Sequence, residues 1–264
     1  RNPLADVISD LLHEAQTCAH VVQLYDADER ALVTNVARYV CEGLRRGEGG
    51  AIIATPEHRD AFGRAIAAEF DGAGRALRDG RLVMLDAVET LDRFMAGEQP
   101  DLQRFANAIR PVLEGVRERA GGTALRAYGE MVGVLWQAGR YAAAMQLEDS
   151  WNALLEQGGF QLFCAYPIDV FSAEFQIAEV DALLCAHTHL LPAGDGTLQH
   201  AVDRAMDDVL GRKADELRRL IKANYRPAWA ALPKAEADIL WLRNNLPHYA
   251  DEILARASRY YRAA

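Results

Sequence analysis

The sequence predicts an α/β protein: a parallel central sheet flanked by helices, followed by an all-α C-terminal extension. Three observations predict it. Short apolar runs of strand length alternate with amphipathic helical patterns, the arrangement that builds βαβ units. Glycine clusters at Gly47-Glu48-Gly49-Gly50 and Gly121-Gly122 fall where helices must stop and strands begin. After Leu191-Pro192-Ala193-Gly194-Asp195-Gly196 the strand signal ceases.

In chain order, Leu4, Val7, Ile8, Leu11 and Leu12 share one face of a helix expected over residues 4–16. Strands are expected at 20–25, 51–55, 81–85, 123–128 and 160–165, where runs such as Ala51-Ile52-Ile53-Ala54-Thr55 are bounded by turn residues. Helices are expected between them, at 29–46, 57–70, 87–95, 101–119 and 140–157. Trp136, Met145 and Trp151 lie in helical patterns and read as packing residues. From Thr197, apolar residues from Leu198 to Ile221 recur mostly at three- and four-residue steps, which suits one helix of about 28 residues. Tyr225-Arg226-Pro227 breaks it, Pro233 opens another helix, and Leu246-Pro247 breaks or kinks the remaining C-terminal stretch. The chain therefore divides into a ligand or sensory domain at 1–192 and a helical extension at 197–264. That extension either packs on the sheet or serves dimerisation, output or partner binding.

Half of the 264 residues are hydrophobic, a quarter are charged, and the net charge is −9. The pI near 5.3 argues against a direct, sequence-independent grip on nucleic acid or anionic lipid. No apolar run reaches the roughly 18 residues that cross a bilayer, and Arg1-Asn2-Pro3-Leu4 is no signal peptide. Cys18, Cys41, Cys164 and Cys185 are too sparse for a disulfide framework and read as reduced core thiols. A cytoplasmic protein is expected.

The junction after the first strand excludes a standard phosphate cradle. A nucleotide-binding turn needs bare glycine amides and a Lys-Ser/Thr pair on the helix start. Tyr25 is followed instead by Asp26-Ala27-Asp28-Glu29-Arg30, with three carboxylates and no glycine.

Ligands of open parallel sheets gather at the carboxyl ends of the strands. Those ends place Tyr25, Asp26, Thr55, Asp86, Tyr128, Glu130 and Tyr166 as rim candidates, with Arg126 a few residues back in its strand. Asp86 also suits an N-cap for the helix beginning at Ala87. Arg126, inside an apolar strand, needs an acidic partner. Glu130, four residues on, is the expected one, in preference to a catalytic role for either. Cys185, His187 and His189 resemble a ligand cluster, but on a helix only the first and last share a face, and no second zinc-type pair follows. No metal site and no cofactor are expected. There is no Gly-x-Ser-x-Gly elbow, and Cys164 reads as core.

Six separated motifs, in order, resemble one family. They are His20-Val-Val-Gln-Leu-Tyr25-Asp26, Ala51-Ile-Ile-Ala-Thr55-Pro56-Glu57, Arg126-Ala-Tyr-Gly-Glu130-Met-Val-Gly-Val-Leu-Trp136, Ala144-Met-Gln-Leu-Glu148-Asp-Ser-Trp151-Asn152, Phe163-Cys-Ala-Tyr166-Pro167 and Cys185-Ala-His187-Thr-His189. Together they resemble the MEDS family, the sensory domain named for methanogens, methylotrophs and the dichloromethane-responsive repressor, over about residues 10–192. The resemblance implies a RecA-like fold akin to the circadian-clock KaiC ATPases, with a degenerate phosphate loop (P-loop). It also implies sensing of a small molecule beside a histidine kinase or a transcription regulator. By position, Tyr25, Asp26, Arg126, Glu130, Trp136, Tyr166 and His187 carry the family pattern. Neither a kinase dimerisation box nor a helix-turn-helix is visible in this chain.

The expected function is thus a non-catalytic sensor that binds a small effector or a signalling partner at the sheet rim and relays through the C-terminal helices, with a homodimer possible. The alternatives are a nucleotide hydrolase or transferase using Glu130 as base and Arg126 as charge stabiliser, or a protein-interaction scaffold.

Overall fold

Six short strands pair in parallel into a single sheet whose two faces are both covered by helices, in a computed structural model that describes residues 19–193, 196–222 and 229–264. The strands are β1 (His20–Leu24), β2 (Gly49–Ala54), β3 (Leu82–Asp86), β6 (Leu125–Gly129), β7 (Phe160–Tyr166) and β8 (His189–Leu191), in the order β3-β2-β6-β7-β1-β8. A two-stranded hairpin, β4 (Met95–Ala96) with β5 (Gln99–Pro100), lies apart from it. Burial on both faces explains why the strands read as continuous apolar runs: every residue of β2 is buried.

Strand alternation divides the core into two layers. Val22, Leu24, Ala51, Ile53, Ala127, Leu162, Cys164 and Tyr166 face one layer. It is closed by helices α4 (Ala87–Asp92), α5 (Leu102–Arg119), α6 (Met131–Gln137), α7 (Tyr141–Leu155) and α8 (Ile177–Ala186). Ile52, Ala54, Tyr128, Phe163 and Ala165 face the other, under α1 (Arg30–Arg45), α2 (Pro56–Glu69) and α3 (Ala73–Arg78). The expected strands and longer helices are all present with small end shifts, while β8, α3, α6 and α8 are additions. The expected helix at 4–16 and the break at 225–227 lie outside the described residues.

The C-terminal part is all-helical: α9 (Thr197–Leu210), α10 (Ala214–Lys222), α11 (Lys234–Asn245) and α12 (Pro247–Arg262). The single long helix expected from Thr197 is interrupted. Gly211 takes φ +54°, outside the right-handed helical range, and a 3₁₀ turn at Gly211–Lys213 separates α9 from α10. Pro233 caps α11 and Pro247 occupies the first turn of α12, where a missing N–H costs nothing. The inner faces of these helices join the sheet core: Leu198, Val202, Met206, Ile239, Ile253 and Leu254 belong to the same buried cluster as Val22 and Leu162. An isolated bridge between His189 and Ala231 ties them to β8.

Gly133 shows how closely helix and sheet approach. A Cβ there would sit 2.7 Å from the backbone oxygen of Ala165 in β7. Helix propensity favours alanine by roughly 1 kcal/mol, but overpacking against a backbone atom costs about 1–3 kcal/mol. Gly133→Ala is therefore expected to lower stability by about 1 kcal/mol or more in urea denaturation; a stabilised variant would show that α6 moves freely over β7.

Candidate functional site

The carboxyl ends of β1, β2 and β6 converge on a hydrogen-bonded group centred on Glu130, at the start of α6 just beyond β6. Its Oε1 accepts the backbone N–H of Thr55 at 2.5 Å, and its Oε2 accepts Tyr128 Oη at 2.8 Å. His58, on the first turns of α2, lies with Nδ1 2.6 Å from the same Oε2. The other ring nitrogen of His58 is 3.1 Å from Glu29, and the ring of Tyr25 stands edge-on to it. His58 escapes sequence reasoning, because a histidine in a helix pattern carries no signal until the fold sets two carboxylates beside it.

These carboxylates control the imidazole. Burial opposes charging of His58, but the hydrogen bond and charge of Glu130, with the charge of Glu29, prevail and lift its pKa to about 8. Burial, Glu130 and Glu29 push the Tyr25 phenol upward, so it stays protonated and can donate.

The remaining candidates have different places. Asp26 accepts the N–H of Asp28, and Asp28 holds Arg30, whose hydrogen bond keeps the Asp28 carboxyl at about 2. Asp86 caps α4 through the N–H groups of Val88 and Glu89, as expected of a cap. Arg126 corrects an expectation: it pairs not with Glu130 but with Glu48, Nε to Oε2 2.6 Å, and donates to the carbonyl of Tyr39. Four strand residues span about 13 Å, so Arg126 lies deep in the sheet, 1 % exposed, with Glu130 beyond its end. Tyr166 is fully buried on the opposite face and donates to Glu148 at 2.5 Å.

Next to this group, β1 and the β7–α8 connection form a cavity of about 590 Å³ with the C-terminal helices. One wall carries Tyr25, Asp26 and Arg38, a second Ile168 to Phe171, and a third Tyr261 and Arg262 from the end of α12. Arg262 pairs with Asp169, whereas Arg38 has no ion pair among the described residues.

Among the described residues, one group of side chains brings four possible ligand atoms together, and it shares only His187 with the Cys185/His187/His189 triplet. Cys185 is exposed on α8 and His189 belongs to β8, but His187 joins His20, Glu148 and Cys164 in a fully buried group. No sequence spacing could reveal it, because the four come from β1, α7, β7 and the end of α8.

A family model for MEDS, the MEthanogen/methylotroph, DcmR Sensory domain, matches residues 19–188. The chain belongs to the MEDS family. Neither a curated protein nor a solved structure matches it. The MEDS match spans all the strands except β8 and takes in Glu130, His58 and the buried His20 group. Among the described residues no helix is long and apolar enough to cross a membrane.

The His58 pKa sets a pH signature. Because the folded value of about 8 exceeds the unperturbed ~6.5, the stabilisation is fully present below ~6.5 and is lost as pH rises through about 8. Glu29 is half exposed, which screens its share. Wild type should lose on the order of 1 kcal/mol more than His58→Gln between about pH 6 and 9. NMR titration of Glu130→Gln should find His58 titrating well below its wild-type midpoint; an unmoved midpoint would contradict the assignment.

Proposed function

We propose that this MEDS chain is a non-catalytic sensor that takes a small polar ligand into the rim cavity and transmits occupancy through α12. The carrying observation is the shared wall: sheet-rim residues Tyr25 and Asp26 face Tyr261 and Arg262 across one cavity. A ligand seated there touches both parts and stabilises one relative arrangement by its differential affinity. Arg38, with no carboxylate partner among the described residues, suits an anionic or carbonyl group on that ligand. Family membership supports the sensory role, and the RecA-like ancestry implied by the motifs fits a site at the strand ends. The intended recipient of the signal is a kinase or transcription regulator in the same cytoplasmic system.

The chemistry of the rim favours binding over hydrolysis. Glu130, the expected general base of a hydrolase, already accepts three hydrogen bonds from Thr55, Tyr128 and His58. Arg126, the expected charge stabiliser, is committed to Glu48. The helix after β1 starts beneath Asp28 and Glu29, which repel a polyphosphate.

Thermal-shift measurements against a panel of small organic acids test this reading, with Mg–ATP alongside. A true ligand at a hundredfold excess over Kd should raise Tm by about 5–10 °C, and Arg38→Ala should abolish that shift while leaving the unliganded Tm near wild type. Stabilisation by Mg–ATP with steady phosphate release would overturn the non-catalytic reading.

A further inference from the structure

The buried group at the other end of β1 is independent of the rim. His20 opens β1, Cys164 lies in β7 one strand over, Glu148 projects from α7, and His187 caps α8. All four are buried, and one donor atom from each falls within 4.8 Å of the others.

The hydrogen bonds around them fix which atoms are free. His187 Nδ1 lies 2.8 Å from the carbonyl oxygen of Leu183, which can only accept, so Nδ1 carries the proton. Asn152 donates its amide to the carbonyl of Ala186, which turns its Oδ1 toward His20 Nδ1 at 2.8 Å, so that nitrogen also carries the proton. Both imidazoles therefore present a bare Nε2 to the same space. His187 Nε2 has no hydrogen-bond partner there although Glu148 Oε1 is 3.2 Å away. An Nδ1–H held by an oxygen acceptor is the usual support of a metal-binding histidine, and His20 Nε2 meets the Cys164 thiol at 3.3 Å. Tyr166 gives the carboxylate the same kind of outer support through its 2.5 Å hydrogen bond to Oε1.

The donor spacing is close to that of a tetrahedral site on two edges and looser on a third. Zn²⁺ bonds of about 2.0–2.3 Å to N, O and S imply tetrahedral edges of about 3.3–3.6 Å. His20 Nε2 is 3.3 Å from both Cys164 Sγ and Glu148 Oε2, and Sγ is 3.8 Å from Oε2. Charge also closes: a divalent ion with one thiolate, one carboxylate and two neutral imidazoles sums to zero, the arrangement a dry core tolerates best.

We propose that His20, Glu148, Cys164 and His187 bind one tetrahedral divalent transition-metal ion, for which Zn²⁺ is the best-fitting choice. The Cys164 thiol loses its proton to solvent on binding, and the Zn–S bond replaces S–H. Four protein donors leave no open position, so the ion is structural. It ties β1, β7, α7 and the end of α8 together.

The test uses the untagged full chain produced in zinc-supplemented medium. Elemental analysis should find one zinc per chain surviving gel filtration with EDTA. Cobalt-substituted protein should show the visible bands of tetrahedral Co²⁺ and a near-ultraviolet thiolate-to-cobalt band. Cys164→Ser should lose the latter band and His187→Gln the stoichiometric metal, while Cys41→Ser, a buried thiol on the other sheet face, keeps both. Should a ligand variant fail to fold, the wild-type stoichiometry and cobalt spectrum still decide. Folded wild type that carries no zinc and takes up neither Zn²⁺ nor Co²⁺ would overturn the site, leaving a proton-sharing His–Glu–His network. So would metal that persists in both ligand variants.

Discussion

A parallel sheet buried on both faces admits a polar side chain only where a partner is built for it, and this constraint organises the whole molecule. The strands carry few exceptions to their apolar pattern, and each anchors a local structure. Arg126 draws Glu48 and the Tyr39 carbonyl toward the amino end of β6. Glu130 gathers Thr55, Tyr128 and His58 just past the carboxyl end of the same strand. His20 and Cys164 face Glu148 and His187 in the opposite layer. Around each, the packing is tight: a Cβ on Gly43 would lie 2.7 Å from Arg126 Cδ. The polar groups thus fix how helices sit on a sheet that apolar contact alone would leave free to slide.

The C-terminal helices are bound by the same logic. Their inner face shares one core with β1 and β7, so they cannot separate without exposing Leu198, Ile239 and Ile253. On the proposed sensor reading, a signal through them takes the form of a small shift of a packed layer, the kind of discrete repacking that dense interiors permit. Tyr261 and Arg262 reach the rim cavity from the last turn of α12. Any surface offered to a partner then belongs to the outer faces, whose charge is organised locally around Arg218 and its three aspartates.

Much of the fold was legible in the sequence because it is set by local periodicity. Five strands and the long helices between them come from apolar runs and glycine stops such as Gly47 and Gly121, both at positive φ. Features that local pattern could not reveal were decided by distance in the chain. β8 is three residues long and exists only because β1 offers an edge. Gly211 breaks an apolar stripe whose periodicity runs straight through it. Of the candidates, Tyr25, Thr55, Tyr128 and Glu130 do come together around His58, because strand ends are topologically fixed. The partner of Arg126 was misread because nearness in sequence is not nearness along an extended strand: Glu48 is far away in the chain and adjacent through the β2–β6 pairing. His58 and the His20 group were invisible for the same reason, their meaning lying wholly in side chains brought from other elements.

The acidic junction after β1 can now be read residue by residue. Asp26 shapes the turn by accepting the N–H of Asp28, Asp28 neutralises Arg30, and Glu29 reaches across to His58. Each carboxylate holds a specific cation or amide of the protein itself. Glu29 also gives His58 its second acceptor, without which the imidazole would bridge nothing and the Glu130 group would stand alone. The junction links β1 to α2 through Glu29 and His58, and α2 to β6 through Glu130. The carboxylates after β1 therefore hold protein groups in register beside the cavity.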